Sequence, residues 1–316
     1  MPIPVILDCD PGHDDALAIL LALARPELRV LGITTVAGNA PLEATTGNAL
    51  RVLTLLGRTD VPVASGAARP LLQAAHAAPE VHGASGLDGV DLPEPAADPR
   101  PDGAIELIAS LVRAADKPVT LIPTGPLTNV ALFLRAYPQL VDRIERICLM
   151  GGSIGVGNTT ASAEFNIWCD PEAAAIVFES GRPIAMHGLD VTHQALVTLA
   201  DIDRLAGIGS RTAVIFAGLL RFFARFHVEH YGWDGAPIHD AVAVGHAAIP
   251  GLVETRPYRV DVVTGNGPAR GRTVVDVEGQ TGLPPNAEVG VAIDRERFVG
   301  LLVDAVRVYP GAATSR

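Results

Sequence analysis

Short apolar runs alternate with helical patterns from the start of the chain, and that rhythm leaves few folds open. Residues 5–7 and 30–36 read as strands, 14–24 and 42–56 as helices. The rhythm resumes after Pro118, with strands expected at 119–123, 147–150 and 183–189 and helices at 105–115 and 171–179. Apolar residues make up 48% of the 316 positions but aromatics only 4%. Ala, Val, Leu and Ile dominate, as suits helices packed on a buried parallel sheet. The expected class is α/β.

The last third carries helix patterns at 212–230, 239–248 and 295–306 and strand-like runs at 259–263 and 272–277. No internal repeat and no linker divides the chain, so residues 1–316 read as one domain, large enough to bury a core without disulfides. Between the blocks, residues 67–102 repeat Pro, Ala and Asp around His82-Gly83-Ala84-Ser85-Gly86, which predicts a long, mobile surface loop.

The net charge of −11 repels phosphate backbones and anionic membranes, and Lys117 is the sole lysine; nucleic-acid binding is excluded. Cys9, Cys148 and Cys169 show no zinc or CxxC spacing and read as reduced, structural thiols. The apolar run 16–24 falls far short of the ~20 residues a membrane span needs, and no basic n-region precedes Asp8. The expectation is a cytoplasmic protein without membrane contact.

Chemistry concentrates in Asp8-Cys9-Asp10-Pro11-Gly12-His13-Asp14-Asp15, where the first strand gives way to the first helix. Open α/β sheets bind ligands outside the carboxyl ends of their strands, so these side chains point toward the usual site. A bland reading makes Pro11-Gly12 a turn and Asp14 a helix cap, but it leaves Asp8, Asp10 and Asp15 repelling one another. Hard divalent cations prefer oxygen ligands, and clustered carboxylates supply several. A second acidic point, His239-Asp240, opens a later helix. Between them, Thr124 to Asn129, Asn158, Glu164 and Asn166 sit where strands yield to loops.

With these motifs assembled, the sequence resembles the inosine-uridine-type nucleoside hydrolase family over nearly its whole length. The carriers are Asp8 to Ala16 (DxDPGxDDA), Gly38-Asn39, Pro123 to Asn129, Met150-Gly151-Gly152, Ala163 to Asn166, Gly188 to Thr192 and His239-Asp240. The resemblance implies an open, mostly parallel sheet with a Rossmann-like core flanked by helices, one catalytic domain, and dimers or tetramers. It implies a Ca²⁺ held by Asp10, Asp15, Asp240 and the Thr124 carbonyl, with Asp8 in support. It implies a small-molecule ribonucleoside substrate of nucleoside salvage, its sugar held by Asp14, Asn158, Glu164 and Asn166.

Cleaving an N-ribosidic bond builds positive charge on the sugar and negative charge on the base. The resemblance gives Asp10 the role of general base on a calcium-activated water, with Asn39 beside that water, and His239 the protonation of the leaving base. His82 is matched to the base side. Phe223, His227 and Tyr231, spaced i, i+4 and i+8 on the helix before His239, share one face; His227 and Tyr231 are taken as substrate contacts. Phe223 and His227 depart from the small polar and amide residues of the pyrimidine-preferring branch, which favours purine or broad preference. His76, His187 and His246 are read as surface or core histidines.

Three rivals remain at this point. Gly151 to Gly155 spells G-x-S-x-G, the pattern of a serine nucleophile elbow, although the residues after it look like a loop. Asp8-x-Asp10 would suit a phosphatase, with Lys117 as a poorly placed phosphate partner. A nucleoside-binding or sensing protein on the same fold, without turnover, would share every residue but the outcome.

Overall fold

Six of the seven residues of the first strand are buried, as a strand covered on both faces requires. In the computed structural model, which describes residues 1–310, the strands run β1 (Ile3–Cys9), β2 (Leu28–Thr35), β3 (Val63–Ser65), β4 (Val119–Pro123), β5 (Ile144–Met150), β6 (Ile184–His187), β7 (Leu196–Thr198), β8 (Gly235–Pro237), β9 (Val253–Val262), β10 (Thr273–Asp276) and β11 (Ala287–Ile293). Nine form one sheet in the order β10-β9-β11-β6-β5-β4-β1-β2-β3, and β7 pairs with β8 apart from it. Every neighbour pair from β3 to β11 is parallel; β9 is antiparallel to both β11 and β10.

Alternation along β1 feeds two cores. Val5, Leu7 and Cys9 join the helices His13–Ala24, Leu42–Leu55, Arg211–Tyr231, Asp240–Ala248 and Arg295–Val308 on one face. Ile6 joins the helices Ala104–Ala114, Thr128–Ala136 and Pro171–Phe178 on the other. Phe216 and Phe133, one in each cluster, are fully buried. Burying a side chain of that size stabilises the fold by roughly 1.5–3 kcal/mol.

The chain leaves β1 toward β2 and β3, then returns to place β4 on the other side of β1. That reversal is a topological switch point, where an open sheet leaves a crevice at its carboxyl edge. The acidic segment follows β1 and Thr124 follows β4, so both stand at the crevice.

Three expectations change. The strand expected over 183–189 stops at His187, because Gly188 turns the chain into the short helix Leu189–Thr192. β11, which joins the parallel sheet to β9, carries too weak an alternation to show in the sequence, with Glu288 and Gly290 interrupting its apolar residues. The expected mobile surface loop is instead tied inward at several points. Ala78 N donates to Asn39 O, Asn48 Nδ2 to Ser85 O, and His82 is only 6% exposed.

Candidate active site

Asp8 lies near the end of β1 and Asp10 just beyond it; Asp14 and Asp15 begin the helix His13–Ala24; Asp240 begins the helix Asp240–Ala248. All five are buried. One carboxylate oxygen from each of Asp14, Asp15 and Asp240 lies within 4.8 Å of the others, a spacing that a single cation can span. Asp14, expected to hold the sugar, is thus drawn into the acidic trio, while Asp10 stands outside it. Asn39 joins the two, its backbone N donating to Asp10 Oδ2 (2.6 Å) and its Nδ2 to Asp15 Oδ2 (3.2 Å).

Close backbone approach fixes Asp10. A Cβ at Gly38 would stand 2.0 Å from Asp10 Oδ2, and one at Gly125 would stand 2.6 Å from Oδ1. Thr124 Oγ1 donates to Asp15 Oδ1 at 2.7 Å, and Asn166 Nδ2 donates to the Thr124 carbonyl at 2.7 Å. Asp8 Oδ1 accepts from Thr34 Oγ1 and Asn129 Nδ2, both reaching it from neighbouring elements.

The electrostatics of this cluster fit a cation. Burial first, and mutual repulsion second, push Asp10 and Asp240 well above the usual carboxylate range; the same two causes raise Asp14 to about 7. Burial alone raises Asp8 to about 7 and also raises Asp15. Among the described residues, no Lys or Arg lines the cavity to balance them. Asp8 Oδ2 and Asp10 Oδ1 are buried with no hydrogen-bond partner, a costly state for an oxygen acceptor. An all-oxygen donor set with orphaned acceptors suits a hard divalent ion.

Asp14 and Asp240 of this trio line a cavity of about 340 Å³. On one side, Glu164 caps the helix Phe165–Cys169, accepting from the backbone N of Gly152, Asn166 and Ile167. Burial lifts Glu164 to about 7. Asn158 Oδ1 accepts from Phe165 N at 2.9 Å, which fixes the loop that carries it.

The opposite wall is made of rings. Phe223, His227 and Tyr231 all line the cavity together with His82, His193, Phe226, Trp233 and His239. His82 stacks on Phe223 at 5.3 Å, His227 on Trp233 at 5.8 Å, and Tyr231 on Trp233 at 4.9 Å. Behind His82 stands His13, whose backbone N lies 3.3 Å from His82 Nδ1. His227 Nδ1 donates to the Phe223 carbonyl at 3.1 Å, which leaves Nε2 as a lone-pair acceptor.

Burial drives His82 and His239 well below the ordinary histidine range and His227 to about 4, with neighbouring imidazoles adding repulsion. The wall is therefore neutral at pH 7.

Sequence reasoning also missed several lining residues. His76, read as surface or core, lines the cavity and packs on Trp168 at 4.5 Å. His193, Trp168 and Trp233 line it too. His187 and His246 pack on each other at 4.7 Å, away from it. The rivals fare poorly: after Ser153 the chain runs through a loop to a helix that begins only at Phe165, and Ser153 is buried. Lys117 borders a different cavity with Met1 and Pro118, on the amino side of β4.

The chain is similar to known proteins over nearly its whole length. The chain is 52% identical over 307 residues to the pyrimidine-specific ribonucleoside hydrolase RihA of Shewanella sp. (strain ANA-3), covering 97% of this chain and 96% of that one. It is 51% identical over 310 residues to RihA of Escherichia coli O127:H6, covering 98% and 100%. Among solved structures, the purine-preferring ribonucleoside hydrolase from Gardnerella vaginalis superposes with a TM-score of 0.91 at 34% identity, over 97% and 99% of the two chains. Fold, pocket and relatives define an α/β enzyme of the N-glycosyl hydrolase class. The chain belongs to the inosine-uridine preferring nucleoside hydrolase family, whose sequence model matches residues 5–300.

Proposed function

We propose that the chain, residues 1–316, acts as one catalytic unit that hydrolyses pyrimidine ribonucleosides to free base and ribose in the presence of Ca²⁺. The observation that carries the metal and the reaction is the buried acidic cluster at the switch point, with orphaned oxygens on Asp8 and Asp10 among the described residues. The base preference rests on the relatives: at 51–52% identity they are named pyrimidine-specific, and this outweighs the purine or broad preference that Phe223 and His227 suggest.

In this reading Asp10, which stands beside the trio, holds the ion together with Asp15, Asp240 and the Thr124 carbonyl, and Asp14, the trio's third member, meets the ribose hydroxyls. When bound, the ion supplies Lewis-acid polarisation and a template for the ribose diol. Asp10 takes a proton from the attacking water as its oxygen bonds to C1′, and Asn39 keeps the carboxylate aimed. Glu164, Asn158 and Asn166 hold the sugar while carboxylates stabilise its developing positive charge. The base departs with the C1′–N electron pair and is protonated at its own end of the pocket, where His239 faces the growing negative charge. His82, His227 and Tyr231 contact the base, and the lone pair at His227 Nε2 suits the N–H of a uracil ring or the amino group of cytosine.

Product analysis tests the assignment. Purified protein with Ca²⁺ is expected to release ribose from uridine and cytidine at least ~10-fold faster, by kcat/KM, than from inosine, a difference of about 1.4 kcal/mol in the transition state. Tight binding of uridine with no ribose released would establish a binding protein instead.

A further inference from the structure

His239 reaches the pocket from the turn before the helix Asp240–Ala248, and a single hydrogen bond fixes its ring. Nδ1 lies 2.7 Å from Thr192 Oγ1. Thr192 closes the short helix Leu189–Thr192 and is fully buried. A contact between a hydroxyl and an imidazole nitrogen can carry its proton on either side, and here the surroundings of the hydroxyl choose.

Thr192 Oγ1 has no other hydrogen-bond partner among the described residues. Were Nδ1 the donor, the hydroxyl hydrogen would be buried and unpaired, which is costly. With the hydroxyl donating to Nδ1, nothing is left over, and the ring's own hydrogen must sit on Nε2. Nε2 makes no hydrogen bond to the described residues and, unlike the sealed Nε2 of His187, keeps access to the cavity that His239 lines. His193, the next residue after Thr192, packs edge-on against the same imidazole, with ring centroids 5.7 Å apart, and limits its rotation.

We propose that Thr192 is a positioning residue: its hydroxyl locks His239 in the Nε2–H tautomer, so that the imidazole presents a donor to the departing base. The inference rests on the assignment of His239 to the base end. A neutral imidazole held in this way acts as an electrophile, stabilising the electron pair that moves from the C1′–N bond onto the base without first being protonated. Thr192 itself touches no substrate.

The test compares Thr192→Val and Thr192→Ser with the parent on two substrates, uridine and p-nitrophenyl riboside, whose leaving group needs no donor. Valine keeps the shape and the β-branch but cannot donate. The expected result for Thr192→Val is a ~10–100-fold lower kcat on uridine, with KM and p-nitrophenyl riboside turnover within about threefold of the parent. Thr192→Ser is expected to restore uridine turnover to within about threefold. Unchanged uridine turnover in the valine variant, an equal loss on both substrates, or a serine variant as slow as the valine one would each overturn the proposal. His239→Ala, assayed in parallel, separates the two levels. A loss confined to uridine there, with no loss in Thr192→Val, removes Thr192 alone; no substrate-dependent loss in His239→Ala removes both assignments.

Discussion

The two ends of the pocket, one proposed for the sugar and the other for the base, are built on opposite principles. The sugar end is a knot of buried carboxylates held by backbone approach and amide donors, with Asp10 wedged between Gly38 and Gly125. The base end is a stack of neutral rings drawn from far-apart segments: His13, His82, His193, the helix Arg211–Tyr231, Trp233 and His239. The first concentrates like charge that calls for a cation; the second removes charge by burial. The contrast matches a bond whose two fragments develop opposite charges, and it implies that damage to each end has a different signature.

The largest effect is expected at the sugar end. Asp10→Asn removes the proposed proton acceptor while keeping its shape, and kcat should fall ~10²–10⁴-fold on every riboside, whatever the leaving group. A loss confined to natural nucleosides in steady-state assays would move the general base elsewhere. Next comes Gly38→Ala, whose new methyl would press on Asp10 Oδ2. Displacing a reacting group by about 1 Å can cost ~10²-fold, so turnover of uridine and p-nitrophenyl riboside should drop together by that order. Normal turnover would show that Asp10 tolerates the shift.

The base end should respond selectively. His227→Phe keeps the ring stack but deletes the Nε2 acceptor, and uridine kcat/KM is expected to fall about 10-fold, the worth of one hydrogen bond, with p-nitrophenyl riboside unchanged. An equal change on both would make His227 a packing residue only.

The smallest effect is on stability. Carboxylates whose folded values are raised, such as Asp8, Asp14 and Glu164 at about 7, contribute stability below their unfolded values and lose it as pH rises through 7. Buried histidines with lowered values, such as His13 and His227 at about 4, work the other way and begin to cost stability as pH falls below about 6.5. Metal-free protein should therefore melt a few degrees higher near pH 6.5 than at pH 8, and Ca²⁺ should narrow the difference. Melting curves in EGTA that are flat between those values would contradict the charged state drawn for the carboxylates.

The same contrast explains what the sequence could tell. The sugar end was legible because Asp8, Asp10, Asp14 and Asp15 fall in one short segment, at a strand-to-helix junction whose place at the crevice follows from parallel topology. What no spacing revealed is that Asp14, rather than Asp10, completes the trio with Asp15 and Asp240. That depends on how the helix His13–Ala24 meets the helix Asp240–Ala248. At the base end, only the i, i+4, i+8 set of Phe223, His227 and Tyr231 was visible, because it lies on one helix. Trp233 follows the helix end, where Gly232 adopts a left-handed turn (φ 69°), and His76 and His193 arrive from loops and short helices without periodicity. Among the described residues no helix is long and apolar enough to cross a membrane.

The central claim is that the buried acidic cluster needs a divalent cation to cleave the N-ribosidic bond. The most direct measurement is ribose release from uridine by protein stripped with EGTA and then titrated with Ca²⁺. The account expects no release before calcium and a saturating rise on its addition; full activity in EGTA would contradict it.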